Sequence, residues 1–595
     1  MTSRVSLTLV LQRAAAASLA IAATLASCAS HTTSPDATVP TGGRAPNVVL
    51  VMGDDMGYTD IGCYGGEIAT PRLDRLAAEG VRFTQFYNTS RCCPTRAALL
   101  TGLYSHQAGI GLMTSDRGYE AYRGDLNRRC VTLAEALRTA GYRTYMSGKW
   151  HVTRHDHEKA DNHNWPMQRG FDRFYGTITG AGSFYDPATL CRGNTFITPE
   201  NDPEYQPESY YYTDAIHDNA LRYLQDHERD HGEEPFFLYV SYTCAHWPMH
   251  APEDEIAKYR GLYDEGFEPI RAERLRRARE LGVIEEAWEM SAPRAQWEKT
   301  RNKEWEVRNM AVYAAMIDRM DQGIGRIVDE LERQGTLDDT LFIYLQDNGG
   351  CAEGYGRGDN SKQAADFKGK PLGRDGLQTK IWPPMQTRDG RFVRTGPDAM
   401  AGPEDTFVAY GVGWANVSNT PFRGFKHDAY EGGIASPFIV HWPAGIPEER
   451  RGSLIHDPCH LIDVMPTLVE AAGGSYPTEY HDGQAIQPME GVSLVAPLEG
   501  AAVERAAPLG FEHHGNLALR DGRWKIVSAH RGSQPTTWEL YDMQADRTEL
   551  HDLAEEHPER HQQMVGQWQS WADRVGVQKW PFQNKKKDEV PNERP

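Results

Sequence analysis

From residue 46 onward, short apolar runs rich in β-branched residues alternate with amphipathic stretches that stop at glycines. That alternation restricts the chain to a largely parallel sheet flanked by helices. Asn47-Val48-Val49-Leu50-Val51-Met52 reads as a buried strand, followed by a helix over Pro71 to Glu79 that Gly80 stops. A helix over Thr132 to Ala140, ended by Gly141, leads into a strand at Tyr142 to Ser147. Phe236 to Tyr242 is another strand. A long helical pattern from Met310 to Gln334, stopped by Gly335, feeds a strand at Leu341 to Leu345, and Pro437 to Trp442 is a further one.

The 595 residues are too many for one ordinary domain. The pattern predicts a catalytic-sized α/β domain over 46–475, with a large mixed, mostly parallel sheet sandwiched by helices. A smaller domain over 476–583 combines a small antiparallel sheet with one packed helix. Within it, Leu517 to Val527 and Trp538 to Asp542 read as short strands joined by Asp-Gly and polar turns, and Pro558 to Val575 as the helix. The stretch between His250 and Met310, with its arginine-rich Arg271 to Glu280, reads as a solvated helical insertion. Residues 584–595, with three lysines, read as a disordered tail.

At the N-terminus Arg4 and Arg13 precede an apolar stretch from Ala14 to Thr24, too short to span a bilayer but suited to a secretory signal over residues 1–27. Leu25-Ala26-Ser27-Cys28 resembles a bacterial lipobox, which predicts lipidation at Cys28 and a polar tether over 28–45. The expected location is therefore periplasmic or outer-membrane-anchored, with membrane contact only through that lipid. Nine cysteines show no repeated Cys-x-x-Cys spacing, so neither a zinc ribbon nor a disulfide scaffold is expected, although one or two bridges are compatible with an oxidising compartment. The formal charge is −20, and losing Arg4 and Arg13 with the signal makes it more negative by two. Nucleic acid is excluded as a partner. An anionic substrate needs a local cluster of cations working against the global field.

In open α/β sheets ligands sit beyond the carboxyl ends of the strands. The first strand runs into Gly53-Asp54-Asp55, and the strand at Leu341 runs into Gln346-Asp347-Asn348. Three carboxylates and an amide oxygen, with no thiolate or imidazole among them, suit a hard cation, Ca2+ ahead of Mg2+. The strand at Tyr142 ends in Gly148-Lys149-Trp150-His151, and that at Phe236 in Cys244-Ala245-His246. Singly, each has a bland explanation: aspartates cap turns, a lone histidine bonds structurally, a lone lysine is solvated. Convergence of four strand ends on one rim favours a site.

The segment Ser90-Arg91-Cys92-Cys93-Pro94-Thr95-Arg96, followed by Leu100-Thr101-Gly102, resembles the signature of the formylglycine-dependent (type I) sulfatases, whose bacterial arylsulfatases share the alkaline phosphatase-like fold. Cys92 has proline at +2 and arginine at +4, and Cys93 fits no such pattern. Pro94 suits the first turn of a helix, which places residue 92 just before the positive end of a helix dipole, where an anion is favoured. Arg96, one turn on, shares the face of residue 92 and can reach back to hold it. The resemblance implies that a maturation enzyme oxidises Cys92 to formylglycine. One hydroxyl of the hydrated aldehyde attacks sulfur, and loss of the proton from the other expels sulfate as the aldehyde re-forms. It further implies that the metal site is Asp54, Asp55, Asp347, Asn348 and the modified residue 92, and that Lys149 and His151 handle sulfate and the second hydroxyl's proton. His246 would protonate the leaving alcohol together with Lys426, which lies in the matching stretch Pro421-Phe422-Arg423-Gly424-Phe425-Lys426 before Glu431-Gly432-Gly433.

The resemblance covers nearly the whole chain after the tether, including Phe184-Tyr185-Asp186-Pro187 and Trp538-Glu539-Leu540-Tyr541-Asp542. It implies a sulfated small molecule or glycan as substrate. Two rivals remain at this point. A formylglycine-dependent phosphonate or phosphate-ester hydrolase would use the same residues, and a non-catalytic glycan-binding lipoprotein would be indifferent to Cys92→Ala. Glu512, His513 and His514 are candidates for either the substrate mouth or turn-capping.

Overall fold

The computed structural model describes residues 45–584 except 384, 481, 531 and 533–535. The signal segment, Cys28, the tether before residue 45 and the tail beyond 584 lie outside the described residues. Eleven strands form the main sheet: β1 (Asn47–Gly53), β2 (Val81–Tyr87), β3 (Arg143–Gly148), β4 (Arg173–Thr177), β5 (Leu190–Arg192), β6 (Thr195–Phe196), β7 (Phe236–Ser241), β8 (Thr340–Gln346), β9 (Ala435–His441), β10 (Leu454–Ile455) and β11 (Cys459–His460). Their order is β10-β2-β9-β8-β1-β7-β3-β4-β5-β6, with β11 also on β2. The central four, β8, β1, β7 and β3, are all parallel. Every residue of β1, β7 and β8 is buried, as expected of parallel strands covered on both faces.

Strand β9 runs antiparallel between β2 and β8, which makes the sheet mixed. Pro437 cannot donate to a ladder, yet it lies inside β9 rather than at its start. The register against β2 shifts there, from Phe83 opposite Phe438 to Phe86 opposite Ser436, so a bulge absorbs the missing donor. Helix α1 (Pro71–Glu79) has the predicted bounds. Helix α2 (Cys92–Thr101) is buried along its whole length. Helix α3 (Leu133–Thr139) begins one residue after the sequence pattern suggests, because Thr132 is its cap, accepting from Glu135 N while Glu135 accepts from Thr132 N. Helix α4 (Tyr212–His231) follows.

Helix α5 (Phe267–Glu280) corrects the reading of a solvated insertion: Arg271 and Arg274 are fully buried. Arg274 forks onto Glu67 at 2.6 and 2.7 Å and onto Asp60 at 2.6 Å, fastening the insertion beneath the loop that follows β1. Helix α6 (Lys303–Gln334) starts seven residues before Met310. Its first two turns are mostly charged, so no apolar period marks them. Tertiary contacts fix them, among them Trp305 Nε1 donating to Ala399 O at 2.9 Å and the Arg357–Glu306 pair at 2.6 Å.

A separate antiparallel sheet follows, in the order β12 (Leu509–His513), β13 (Asn516–Asp521), β14 (Trp524–Ser528) and β15 (Glu539–Asp542). The β13–β14 turn falls at the expected Asp-Gly: Asp521 ends β13 opposite Trp524, and Gly522, at φ 53°, opens the two-residue turn with Arg523. Helix α7 (Pro558–Val575) lays Trp568 and Trp571 on this sheet, where Trp568 Nε1 donates to Phe511 O at 3.2 Å. All eight cysteines among the described residues are unpaired and buried. No helix of the described residues is long and apolar enough to cross a membrane.

Candidate active site

Strands β8, β1, β7 and β3 are neighbours running the same way, so their carboxyl ends share one rim. Backbone bonds continue the ladder past the strand ends: Asp54 N to Cys244 O at 2.7 Å, Asp347 N to Gly53 O at 3.1 Å, Lys149 N to Ser241 O at 2.8 Å. Gly148 has φ 118°, and a Cβ there would stand 1.9 Å from Ser241 O, so only glycine lets Lys149 approach β7 this closely. Asp55 and His151 hold left-handed backbones, φ 58° and 57°, a strain typical of functional sites.

The rim gathers Asp54, Asp55, Asp347 and Asn348, each at most 1% exposed. Lys149 Nζ pairs with Asp54 Oδ2. Lys426 Nζ bridges both Asp55 oxygens at 2.6 and 2.8 Å, and His246 Nε2 lies 3.5 Å from Asp55 Oδ2. Asn348 Nδ2 donates to Asp55 Oδ1 at 2.8 Å, which turns its carbonyl the other way. Asp54 Oδ1 and Asn348 Oδ1 are buried acceptors with no donor. Burial, then the neighbouring Asp347 charge, push the Asp54 carboxyl up to about 8. Burial also raises Asp347. For Asp55 burial is the largest influence and acts upward too, but Lys426, His246 and the Asn348 hydrogen bond together hold the carboxyl below its ordinary value. Orphaned oxygens among crowded carboxylates are what a hard divalent cation satisfies, so the residues fit such an ion. Three carboxylates here face three cations, Arg96, Lys149 and Lys426; two further positive charges would leave the rim locally cationic.

Helix α2 delivers the signature. Cys92 is its first residue, rather than lying just before it, and Pro94 is the third, still within the turn whose N–H groups have no helical partner. Thr95 Oγ1 donates to Asp347 O at 2.6 Å and ties the helix to the end of β8. Arg96 does not fold back on Cys92 as expected. Its guanidinium bonds Asp347 Oδ2 at 3.2 Å, Lys149 O at 3.2 Å and the Ser241 hydroxyl, and thus braces three strand ends from beneath. Beside Cys92 stand Cys93 and His151, their ligand atoms within 4.8 Å of one another. Cys93, to which the sequence assigns no role, puts its Sγ 3.2 Å from His151 Nε2. Hydrogen bonding to Cys93 holds the Cys92 thiol well below its ordinary value, with burial opposing and Lys149 and His151 assisting. Burial lowers His151 to about 4. His246 Nδ1 faces Trp247 O at 2.7 Å, so that nitrogen carries a proton and Nε2 is the one turned toward Asp55.

Lys426 arrives on the loop between Thr420 and Glu431, and that loop is fastened to the C-terminal sheet. Glu431 accepts from Lys525 Nζ and Arg547 Nε, each at 2.8 Å, and its own N–H donates to Glu549 Oε2 at 2.8 Å. Lys525 also pairs with Glu549 Oε1 at 2.7 Å; all four side chains are fully buried.

Several neighbours carry no sequence signal. Arg91 Nη1 meets Glu353 at 3.2 Å and His427 Nε2 at 2.7 Å, and Glu353 Oε2 accepts from Trp247 Nε1 at 2.9 Å. Trp247, packed on His246, continues into Tyr355 and Trp382 with ring centroids 4.8 and 4.7 Å away. Tyr355 and Trp382 are 38% and 43% exposed, an aromatic wall leading outward from His246. Of the two roles open to Glu512, the structure shows the structural one: it accepts from His106, Tyr122 and Gly515 N. His513 is buried against His427 with neither ring nitrogen bonded.

Residues 46–475 match the family model described as sulfatase, and residues 425–571 the one described as the C-terminal region of N-sulphoglucosamine sulphohydrolase. An uncharacterised sulfatase of Schizosaccharomyces pombe is 32% identical over 563 residues, 90% of this chain and 94% of that one. An arylsulfatase of Klebsiella aerogenes is 31% identical, covering 76% of this chain and 91% of that one. Among solved structures, Ps i-CgsB in complex with k-i-k-neocarrahexaose superposes with a TM-score of 0.61 at 22% identity, over 92% of this chain and 96% of that one.

Proposed function

The chain belongs to the sulfatase family and is a sulfate-ester hydrolase, and from that premise we propose that it works through a formylglycine made from Cys92, with Ca2+ held by Asp54, Asp55, Asp347, Asn348 and the modified residue. The observation that carries this reading is the pair of orphaned acceptors, Asp54 Oδ1 and Asn348 Oδ1, beside the first residue of helix α2. The Cys92 thiol marks where the hydrated aldehyde would stand. When bound, the ion supplies Lewis acidity to that oxygen and to the sulfate.

The chain's own residues perform the rest. Lys149 and Lys426, pinned by Asp54 and Asp55, hold the sulfate oxygens beside residue 92. His246, charged with both ring nitrogens protonated, delivers its Nε2 proton to the leaving oxygen while Trp247 O holds Nδ1–H, and Lys426 shares that task. His151, clustered with residue 92, accepts the proton whose departure releases sulfate. Arg96 touches no substrate in this scheme; it positions Asp347 and the Lys149 backbone. The wall of Trp247, Tyr355 and Trp382 supports a flat leaving group, an aromatic ring or a sugar face. Export, with Cys28 as the lipid attachment point, is supported by the N-terminal pattern alone.

Peptide mass spectrometry of a fully active preparation is the direct test. The peptide spanning residues 92–96 is expected to carry an aldehyde in place of the thiol; a fully active enzyme with only the thiol overturns the mechanism. Rates on sulfate and phosphate monoesters of one phenol decide against the phosphonate or phosphate-ester alternative if sulfate is the faster.

A further inference from the structure

Away from the rim, one cluster of ligand-type side chains is not used by the chemistry above. Asp125, in the segment before α3, is 6% exposed, and its Oδ2 faces His155 Nε2 at 3.2 Å and His163 Nε2 at 3.3 Å. The three ligand atoms lie within 4.8 Å of one another. A tetrahedral ion with bonds of about 2.0–2.2 Å holds its ligand atoms roughly 3.3–3.5 Å apart, so the carboxylate-to-imidazole spacing is already that of a coordination sphere. The other oxygen, Asp125 Oδ1, is buried without a donor.

Two further features separate this cluster from a chance meeting of charges. Asp161 Oδ2 stands 3.2 Å from Nδ1 of His163, the ring nitrogen turned away from Asp125, although Nδ1 makes no hydrogen bond in this placement; the other Asp161 oxygen accepts from His163 N at 3.1 Å. A small turn of the half-exposed Asp161 side chain would bond Nδ1, and a carboxylate behind a histidine in that way orients the ring and raises its basicity toward a metal. The backbone that presents the ligands is also fixed independently of them. Trp165 Nε1 donates to His155 O at 2.6 Å, Trp150 Nε1 to Asn164 O at 2.8 Å, and Asn164 Nδ2 to Leu126 O at 2.7 Å. Preorganised ligands on braced backbone are what a metal site requires. Arg154 Nε lies 3.4 Å from His155 Nε2, but its Nη1 is already bonded to Asp116, toward which the guanidinium can withdraw.

We propose that Asp125, His155 and His163 form a second, structural metal site for a divalent transition ion of the Zn2+ type. Imidazole and a single carboxylate favour such an ion over Ca2+. The two histidine side chains are 23% and 28% exposed, which leaves the fourth position to water and gives the ion a way in. Bound there, the ion ties the loop that follows His151 to the segment that precedes α3, and so holds one side of the catalytic rim.

The test uses the full chain, stripped with a chelator and dialysed against Zn2+, with bound zinc measured by mass spectrometry. The wild type is expected to retain one equivalent at this site. H155Q/H163Q should lose it, and D161N, which touches no ligand atom, should weaken it by about 10- to 100-fold. Replacement with Co2+ should give the intense visible bands of a tetrahedral nitrogen and oxygen site without a thiolate charge-transfer band, which separates it from Cys92, Cys93 and His151. Zinc content equal in the wild type and the double variant, or a Co2+ spectrum dominated by thiolate, overturns the proposal. In that case Asp125 merely hydrogen-bonds two histidines.

Discussion

Replacing Lys525 by methionine tests how the C-terminal sheet supports the catalytic loop. Lys525 is fully buried and pairs with Glu431 at 2.8 Å and Glu549 at 2.7 Å. Methionine keeps the volume but removes the one cation that pairs with both buried carboxylates, leaving Glu431 with Arg547 and the charge of Arg520. Breaking a buried ion pair by deleting one partner costs about 3 to 5 kcal/mol. With an unfolding entropy of about 2.1 cal/mol/K per residue over roughly 540 residues, Tm falls by about 3 to 4 °C. The loss depends on pH, and its sign follows from the carboxyls. Burial already raises Glu549 to about 7 from its ordinary 4.5, and Lys525 is the largest influence pulling it back. Glu431 is held below its ordinary value, by Lys525 first, against burial. Without Lys525 both folded-state values rise. A carboxyl whose folded value exceeds its unfolded one keeps its proton longer when folded, so its stabilisation is present below pH 4.5 and disappears as pH rises through the folded value. The deficit of K525M against wild type should therefore be larger at pH 8 than at pH 5.5, in thermal melts or urea titrations run at both. A deficit independent of pH, or one below about 1 kcal/mol at pH 8, refutes the reasoning.

C92A should abolish sulfate-ester hydrolysis while melting like wild type, whereas C93A should keep activity; loss in both would mean that the second thiol is also required. Removing divalent ions with a chelator should abolish turnover, and Ca2+ should restore it better than Mg2+; restoration by Mg2+ alone would reassign the ion. H246A should lose about 10²- to 10⁴-fold in kcat on an alkyl sulfate and less on a nitrophenyl sulfate, whose leaving group needs little protonation; equal losses on both would remove His246 from the acid role. W382A should raise KM for aryl sulfates by about 2- to 12-fold, the equivalent of about 0.5–1.5 kcal/mol of ring stacking, with kcat little changed; an unchanged KM would place the leaving group elsewhere.

The sheet was readable because parallel strands buried on both faces are continuous apolar runs, and β1, β7 and β8 are such runs. Strand β2 escaped notice because Arg82 and Gln85 interrupt its apolar residues, and their partners, Cys63 O and His456 O, come from remote segments. The convergence of Asp54, Asp347, Lys149 and His246 was inferable because each follows a strand end, but the order β8-β1-β7-β3 that makes them neighbours is a tertiary fact. The further partners of Arg96 are tertiary facts of the same kind. Helical spacing places it on the face of Cys92, yet Asp347 and Ser241, 251 and 145 residues away in the chain, offer buried acceptors that a charged guanidinium takes first. Arg91, Glu353 and Trp247 could not be read at all, since their meeting depends on three loops.

The stretch Glu431-Gly432-Gly433 shows how a motif recognised by likeness acquires a physical reason. A Cβ on Gly432 would stand 2.4 Å from Gly424 O, and one on Gly433 2.1 Å from Asp428 O, so the loop carrying Lys426 closes on itself only with glycine at both places. Glu431, next in line, is the anchor that receives Lys525 from β14 and Arg547 from the segment after β15. One end of the loop thus grips Asp55 through Lys426, and the other is held by a buried ion cluster that the small sheet completes. A catalytic lysine on a free loop would lose most of its value to disorder, because a charge stabilises a transition state only when it is already in place. In the proposed mechanism the C-terminal sheet thus contributes to the chemistry without supplying a group to it: truncating it would release Glu431, then the loop, and then Lys426, the cation assigned there to the sulfate.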